Sequence, residues 1–541
     1  MKRKLKSVSL LLLATMMTTV VAACSKSGES SPSSTASSAA PTAAASKTPD
    51  PGTLKVMLFG EKPADMDKVL AEFEKRTKDT LNTKLDISFD VFEQYKTKMK
   101  LKMTAGEDVD LMFDAPWANM VPNISQGYYQ ELDQYFNNDA YPGLKKAFTP
   151  EFLESNKVNG HIYGVPITNA FSDIEAVFIR KDLREKYGLK PIQSYDDLKV
   201  YYDKVKENDP KMVPYPGGRD GWYRVFQNFK DKQTNFRSNP YDVGGTSTPF
   251  NIVLSQDGKK VLGATTIGDP NEDYAKLPAP FNNPDYFYNY LDKRVEFRQY
   301  LPKDAGAAAA GAAAAGVVSA SDEGNLSNAA KKLAEWKKVD PKAEMEIFVY
   351  NDAARDMKPG AIGTDHKAWN FLVVPKNSKN IDRTMKYLDW LYSNPDNHDL
   401  FELGIEGEHW TKDGDGKYKG TANSKNYVFP GYELSWNPSL SRVNSENEAE
   451  VLKYIAYQSK NESYYSLALR GFTFNSEPVK TEMAKVQPKY DVLKGIVVSG
   501  LDPNWKQNAA EVNKELRSLG LEKIRAELLK QVQAYLDAGG K

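Results

Sequence analysis

The 541-residue chain carries 72 basic and 72 acidic residues, 11% aromatic residues and one cysteine. Charges of both signs are interleaved, whereas a nucleic-acid-binding protein concentrates lysine and arginine on one surface, so the composition excludes a dedicated nucleic-acid-binding protein. One cysteine cannot form an intramolecular disulfide. The length exceeds what a single compact core holds, so we expect at least two lobes.

The first 23 residues have the layout of a cleavable signal peptide. Four basic residues among the first six precede an uncharged, mostly apolar run at 8–21. An uncleaved membrane helix is the alternative, but a bilayer span needs about 20 consecutive apolar residues, and this run is shorter. We therefore predict a signal peptide over residues 1–23.

Cys24 follows this segment directly. The sequence Val-Ala-Ala-Cys at 21–24 resembles the bacterial lipobox, whose cysteine is acylated with fatty acids such as palmitate. Residues 24–52 are rich in serine, alanine, threonine and proline, a composition that cannot offset the entropy of ordering the chain. We predict a lipid anchor on the outer face of the cytoplasmic membrane of a Gram-positive cell, with a disordered tether that ends near Thr53.

The folded part opens with alternating strands and helices. The patterns predict strands at 54–59, 85–92 and 109–113 and helices at 64–78 and 95–105. This order is typical of parallel strands in an α/β sheet. Because ligands bind beyond the carboxyl ends of such strands, Glu61, Asp114 and Trp117 are the first site candidates.

Residues 160–167 combine a turn, a short strand and a proline, which suits a chain that leaves one lobe for another. Asn169 and Ser172 follow, and we expect them near the hinge between the lobes. A strand is then predicted at 174–180, a helix at 181–187, and a further helix that Ser194 caps and that runs to residue 207.

The second half contains an amphipathic helix at 286–300 and an alanine- and glycine-rich run at 305–320. Low-complexity sequence is one interpretation of this run, and a close-packed helix before a strand at 317–319 is the other. Asp322 and Asn325 would then lie at the strand end. A strand at 371–375, helices at 381–392 and 396–403, and a core-packing helix at 521–536 complete the prediction.

Tryptophan beside a planar polar side chain is typical of sugar sites, because the ring stacks on the C–H face of a pyranose and the polar group binds hydroxyls. Trp222 with Arg224, Trp369 with Asn370, and Trp436 with Asn437 fit this pattern. A core or surface role is the alternative for each tryptophan. Trp336, Trp390 and Trp505 lie in predicted helices, where a core role is favoured.

Four loose motifs occur together in a fixed order, at 107–112, 160–166, 369–376 and 404–410. With them the chain resembles the type 2, or cluster B, extracellular solute-binding proteins of ABC importers. The segments 474–480 and 520–524 are similar to the C-terminal extension of LipO-like lipoproteins, which are mostly assigned to sugar or oligosaccharide uptake.

The resemblance implies two α/β lobes, each a mixed sheet flanked by helices, joined by a hinge that the chain crosses more than once. We expect lobe one at 53–168 and 369–425, and lobe two at 169–368 and 426–541. The implied function is a monomeric receptor that captures a carbohydrate, an oligosaccharide, between the lobes and delivers it to an ABC permease. The predicted ligand-binding residues are Glu61, Asp114, Trp117, Asn169, Ser172, Trp222, Arg224, Asp322, Asn325, Trp369, Trp436 and Asn437.

Two other classes stay open. A receptor for a peptide or another polar solute would have the same fold, and a secreted glycan-acting enzyme would need two carboxylates beside the scissile bond. The chain has no G-x-S-x-G, H-E-x-x-H or P-loop motif, and its four histidines are far apart in sequence. We therefore predict no catalytic residue, metal or cofactor. An Asp-Gly-Asp-Gly sequence at 413–416 resembles a calcium loop, but Lys417 and Tyr418 replace required positions, so a hairpin turn is predicted.

Overall fold

The computed structural model describes residues 49–168, 170–216, 226, 232–243, 250–302, 319–429, 431–499 and 502–540. The strands of these residues are β1 (Gly52–Phe59), β2 (Thr83–Asp90), β3 (Leu111–Asp114), β4 (Val165–Ile167), β5 (Glu175–Arg180), β6 (Ser238–Tyr241), β7 (Phe250–Leu254), β8 (Val261–Thr265), β9 (Ser321–Asn325), β10 (Met345–Val349), β11 (Ile362–Thr364), β12 (Asn370–Val373), β13 (Trp410–Lys412), β14 (Lys417–Gly420), β15 (Val443–Asn444) and β16 (Tyr464–Ser466).

The helices of the same residues are α1 (Met66–Thr77), α2 (Phe92–Ala105), α3 (Met120–Ser125), α4 (Pro142–Ala147), α5 (Pro150–Ser155), α6 (Lys181–Lys186), α7 (Tyr195–Asn208), α8 (Lys232–Arg237), α9 (Asn271–Tyr274), α10 (Pro284–Phe297), α11 (Ala329–Val339), α12 (Asp352–Arg355), α13 (Ile381–Leu391), α14 (Pro395–Glu402), α15 (Ala449–Gln458), α16 (Lys480–Ser499), α17 (Trp505–Leu519) and α18 (Leu521–Asp537). Short 3-10 turns, among them Gly431–Glu433, connect several of them.

The first sheet has the order β2-β1-β3-β12-β4. β1 pairs in parallel with β2 and β3, so the predicted β-α-β-α-β unit is confirmed. One boundary differs, because β2 ends at Asp90 and Val91 alone, in an extended conformation, joins it to α2. β12 returns to this sheet and pairs antiparallel with both β3 and β4. Pro166 is tolerated in β4 because that strand lies at the sheet edge.

A large hydrophobic core packs on this sheet and includes Leu54, Phe113, Leu372 and Leu388, each fully buried. It extends through the chain from Tyr427 to residue 440. The lobe boundaries stay a prediction, and this packing favours ending the return segment of lobe one near residue 440 instead of 425.

The second sheet has the order β10-β5-β9, with both outer strands antiparallel to β5. Side chains alternate across a strand. Val177 and Ile179 of β5 accordingly face one hydrophobic cluster, and Ala176 and Phe178 face another. The sequence predicts Asp322 and Asn325 at the end of a strand; the strand is β9, which ends at Asn325, and both residues pair with β5 within it. Most of the alanine-rich run lies outside the described residues.

The C-terminal helices share a further core with the antiparallel sheet β6-β7-β8. In α18, Leu521, Ile524, Leu528 and Val532 are fully buried, so the predicted core-packing role of this helix is confirmed. The C-terminal extension therefore packs against β6, β7 and β8 in a shared hydrophobic core. β13 and β14 form the predicted hairpin. Within the described ranges, no helix combines the length and the apolar character that crossing a membrane requires.

Candidate ligand-binding site

Several predicted site residues meet at one edge of the first sheet. The parallel strands β1, β2 and β3 end at this edge, at Phe59, Asp90 and Asp114. The antiparallel strand β12 begins there, because Asn370 pairs with Ile167 and Phe371 pairs with Asp114. The edge therefore brings the exposed Glu61 and the segments around Trp117 and Trp369 to the same side of the sheet.

Trp117 is an exposed aromatic side chain at this edge. It is 45% exposed, and its ring packs at 5.4 Å from Phe92 and 5.9 Å from Phe113. The indole Nε1 donates a 3.0 Å hydrogen bond to Oδ1 of Asn370. This hydrogen bond joins the loop after β3 to the start of β12. Trp369, which precedes Asn370, is 65% exposed.

The aromatic surface continues across the ends of β1 and β2. Phe59 lies 4.9 Å from Phe92 and 5.8 Å from Tyr432, and Tyr432 lies 5.8 Å from Trp436. We call Trp117, Phe92, Phe59, Tyr432 and Trp436 the aromatic row. All except Trp117 are half-buried. The backbone carbonyl of Trp436 accepts a hydrogen bond from Thr168 N, which ties that end of the row to β4.

Phe59, Phe92 and Tyr432 are not among the predicted ligand-binding residues. Phe59 and Phe92 have a usable sequence signal, since Phe59 ends β1 and Phe92 is the second residue after β2, and both strands end at the site. Tyr432 has no comparable signal, because only the tertiary packing of the 431–441 segment brings it beside β1.

Asp114 stabilises the turn that carries Trp117. Its buried carboxylate accepts hydrogen bonds from Ala115 N (2.8 Å), Asn119 N (3.2 Å), Asn123 Nδ2 (3.0 Å) and Tyr129 Oη (2.5 Å). Burial raises the pKa of Asp114, and these hydrogen bonds oppose the rise. Four donors occupy the acceptor sites of a carboxylate. Asp114 therefore orients the turn that carries Trp117, and direct ligand contact by Asp114 stays a prediction that this geometry does not favour.

Glu433 anchors the opposite end of the row and is not among the predicted residues. It is fully buried, and its Oε2 accepts a 2.8 Å hydrogen bond from Phe59 N. Oε1 has no hydrogen-bond partner among the residues that the structure describes. Burial raises the pKa of Glu433 to about 8, although the Phe59 N–H and the Tyr432 hydroxyl favour the ionised form. Glu433 thus attaches the segment of Tyr432 and Trp436 to β1.

The remaining predicted residues have other roles or other places. Asn437 is buried, with Nδ2 donating to Ala147 O and Oδ1 accepting from Ser439 N, so it stabilises a turn. Asp322 lies on the second sheet and forms a 2.7 Å ion pair with Lys332. Ser172 and Asn325 lie at one end of that sheet, both half-buried. Cys24, Asn169, Trp222 and Arg224 lie outside the described residues.

One cluster of carboxylates and histidine could be taken for a metal site. Asp65, Glu408 and His409 each offer a ligand atom within 4.8 Å of the others. The ammonium of Lys68 already lies 3.2 Å from Asp65 and 2.6 Å from Glu408. His409 Nδ1 accepts from Ile405 N, so the hydrogen of the neutral ring is on Nε2, which faces Asp65 at 3.2 Å. The cluster is an ion-pair network around Lys68.

Comparisons with known proteins agree on one family. Residues 60–397 match the model of the bacterial extracellular solute-binding proteins, and residues 468–537 match a domain of unknown function. A carbohydrate ABC transporter substrate-binding protein of Streptococcus pneumoniae is 26% identical over 508 residues, which cover 91% of this chain and 92% of that protein.

Solved structures show the same fold. The N-glycan transport solute-binding protein NgtS of Streptococcus pneumoniae superposes with a TM-score of 0.68 at 21% identity, covering 90% of this chain and 99% of that one. Its complex with Man5GlcNAc superposes with a TM-score of 0.63 at 22% identity, with coverage of 90% and 99%. The predicted fold class, a two-lobed α/β solute-binding protein with mixed sheets, is confirmed.

Proposed function

This chain belongs to the bacterial extracellular solute-binding proteins, as its motifs predict, and we propose that it is the receptor of an ABC importer for an oligosaccharide. The aromatic row at the carboxyl edge of the first sheet carries this proposal. Flat rings bind the C–H faces of pyranoses, and polar groups at the rim bind hydroxyls. Trp117 and Trp369 offer exposed rings, and Glu61 offers an exposed carboxylate just after the end of β1.

The dimensions of the row favour several sugar units over one. Five rings contact one another in series with neighbouring centroids 4.9 to 5.8 Å apart, so together they offer more ring surface than one pyranose can cover. The relatives support the same class, since one is named for carbohydrate transport and another was solved with Man5GlcNAc. Trp222, Arg224, Asn169, Ser172, Asp322 and Asn325 are proposed to complete the site from the second lobe.

Delivery requires a membrane partner. We propose that the lobes close on the ligand by a hinge motion and that the closed form engages the transmembrane subunits of an ABC permease. The ligand drives closure only by binding the closed state more tightly than the open state. A lipid on Cys24 and the tether at 24–52, after removal of residues 1–23, would keep a monomeric receptor next to its importer.

A binding screen tests the proposal. The full mature protein is titrated calorimetrically with Man1GlcNAc, Man5GlcNAc, malto-oligosaccharides and mixed-sequence peptides of similar mass. We expect saturable binding to at least one oligosaccharide and none to peptides. Binding to peptides alone would overturn the proposal, and release of reducing sugar from a bound glycan would assign the chain to the enzymes instead.

A further inference from the structure

A buried group of four charged side chains lies behind the aromatic row. His398 and Asp399 are 0% and 1% exposed, and both belong to α14. Glu402 follows one helical turn after His398, so the two side chains share a face of the helix. Arg442 directly follows the 431–441 segment, and its Nε donates a 2.5 Å hydrogen bond to Oδ2 of Asp399.

The hydrogen positions of His398 follow from its neighbours. Nε2 lies 2.8 Å from Ser435 O and 3.0 Å from Oε2 of Glu402, and both are acceptors, so Nε2 carries a hydrogen. Nδ1 lies 3.6 Å from Oδ1 of Asp399, and neither atom has a hydrogen bond within the described part of the chain. A neutral ring would leave a lone pair on Nδ1 facing a carboxylate oxygen. A doubly protonated ring places an N–H there.

The charges balance when the ring is an imidazolium, with His398 and Arg442 opposite Asp399 and Glu402. Burial disfavours the charged ring, but the Glu402 carboxylate and the contact with Asp399 outweigh it and raise the pKa of His398 to about 9. The other titratable groups next to this cluster are Tyr392, which directly follows α13, and Tyr418 of β14, whose pKa values are raised by burial, and the more exposed Asp396, which lies 3.7 Å from Arg442. No further positive charge opposes the ring among these neighbours.

The same group holds the segment that bears two of the five rings of the aromatic row, Tyr432 and Trp436. Ser435 Oγ and Ser441 Oγ both donate to Oε2 of Glu402, at 3.4 and 3.1 Å. Ser435 lies between Glu433 and Trp436, and its amide and that of Trp436 both donate to Gly431 O. Behind the segment, Tyr392 Oη donates to Leu434 O at 2.9 Å. The backbone that presents Tyr432 and Trp436 is therefore held by hydrogen bonds to Glu402 and from Tyr392.

We propose that the His398 imidazolium, paired with Glu402, is the positioning element that orders the 431–441 segment and thereby sets ligand affinity. Only the part of this inference that concerns ligand affinity rests on the proposed function. His398 does not touch the ligand edge, so it acts through Ser435. If the ordered segment is populated a tenth of the time without the imidazolium, the apparent dissociation constant rises about tenfold.

The test uses the mature chain and three readouts. Long-range ¹H–¹⁵N spectra of the four histidines, assigned with His398→Gln, report the protonation of the ring. We expect both nitrogens of His398 to be protonated at pH 7.5. Hydrogen exchange reports the amides of Ser435 and Trp436, which we expect to exchange at least tenfold faster in His398→Gln. Calorimetry reports a dissociation constant raised about tenfold.

His161→Gln is the matched control, because it removes an imidazole that is half exposed and whose neighbours are Glu131, Asp133 and Tyr163. It should change neither the exchange nor the affinity. If His398→Gln does not fold, the isosteric Glu402→Gln replaces it, and the pKa of His398 should then fall. A neutral His398 ring at pH 7.5 in the wild type, or unchanged exchange in the variants, would overturn the inference. If the wild type binds no glycan, the proposed function is refuted. The protonation of the His398 ring and the hydrogen exchange of the segment then still decide whether His398 orders it.

Discussion

The buried carboxylate of Asp269 offers the sharpest test of whether buried ion pairs attach the C-terminal helices to the rest of the fold. Its Oδ1 accepts hydrogen bonds from Asn513 (3.0 Å), Arg517 (2.7 Å) and Arg525 (2.7 Å), and its Oδ2 accepts from Thr266 N (2.7 Å). The carboxylate is 0% exposed, and Arg525 is 8% exposed. Replacing Asp269 with Asn would keep the shape but leave the guanidinium of Arg525 without its main counter-charge.

Removing one partner of a buried ion pair costs about 3–5 kcal/mol, because an uncompensated charge remains. Glu522 lies 3.4 Å from Arg525 and 3.0 Å from Arg517, and Asp273 lies 3.9 Å from Arg525 and 2.5 Å from Arg517. Because these carboxylates remain, we expect about 3 kcal/mol, the low end of this range. With a urea dependence of about 3 kcal/mol/M, the unfolding midpoint falls by about 1 M. Tryptophan fluorescence can follow this transition, since Trp505 is buried in the same core.

Asp415→Asn is the matched control, because it makes the same chemical change at the exposed tip of the β13–β14 hairpin. It should leave the midpoint unchanged. If Asp269→Asn unfolded at the same urea concentration as this control, the extension would not depend on the buried ion cluster, and the reasoning from its geometry would be refuted.

Three further predictions concern the site and the anchor. Trp117→Ala should weaken oligosaccharide binding about five- to tenfold, since aromatic contacts contribute about 1 kcal/mol or more; calorimetry checks this, with Leu101→Ala, another exposed apolar residue, as the control, and equal affinities would contradict it. The raised pKa of Glu433, about 8, means that the folded state holds a proton that the unfolded state releases, so wild-type stability should fall as pH rises from about 4.5 to 8. Glu433→Gln should show a smaller fall in urea titrations across that range, and parallel curves would refute the assignment. Cys24→Ser should release the protein into the culture medium with unchanged ligand affinity; retention at the membrane would contradict lipidation at Cys24.

Local sequence patterns predicted the first sheet well because its elements follow simple periodicities. The β-α-β-α-β unit at 52–114 and the helix at 521–537 have apolar residues at strand or helix spacing, and burial of those residues selects one arrangement. Ser194 caps α7 as expected, with its Oγ accepting from Asp197 N at 3.1 Å. Such signals depend on residues that are close in sequence.

The candidate site was only partly predictable for the opposite reason. Trp117 and Trp369 could be found because each lies beside a strand end at the ligand edge. Glu433 and His398 could not, since their roles depend on contacts with Phe59 and Ser435 that only the tertiary fold creates. Asp114 and Asn437 have the right side-chain chemistry for a sugar site, but neighbouring donors and acceptors already engage them.

The most direct test of the central claim is a crystal structure of the mature protein with the oligosaccharide that binds most tightly in the calorimetric screen. We predict successive pyranose faces in van der Waals contact with rings of the aromatic row, with Trp117 and Trp436 at its two ends. A ligand bound elsewhere, with both of these rings free of sugar, would contradict the account.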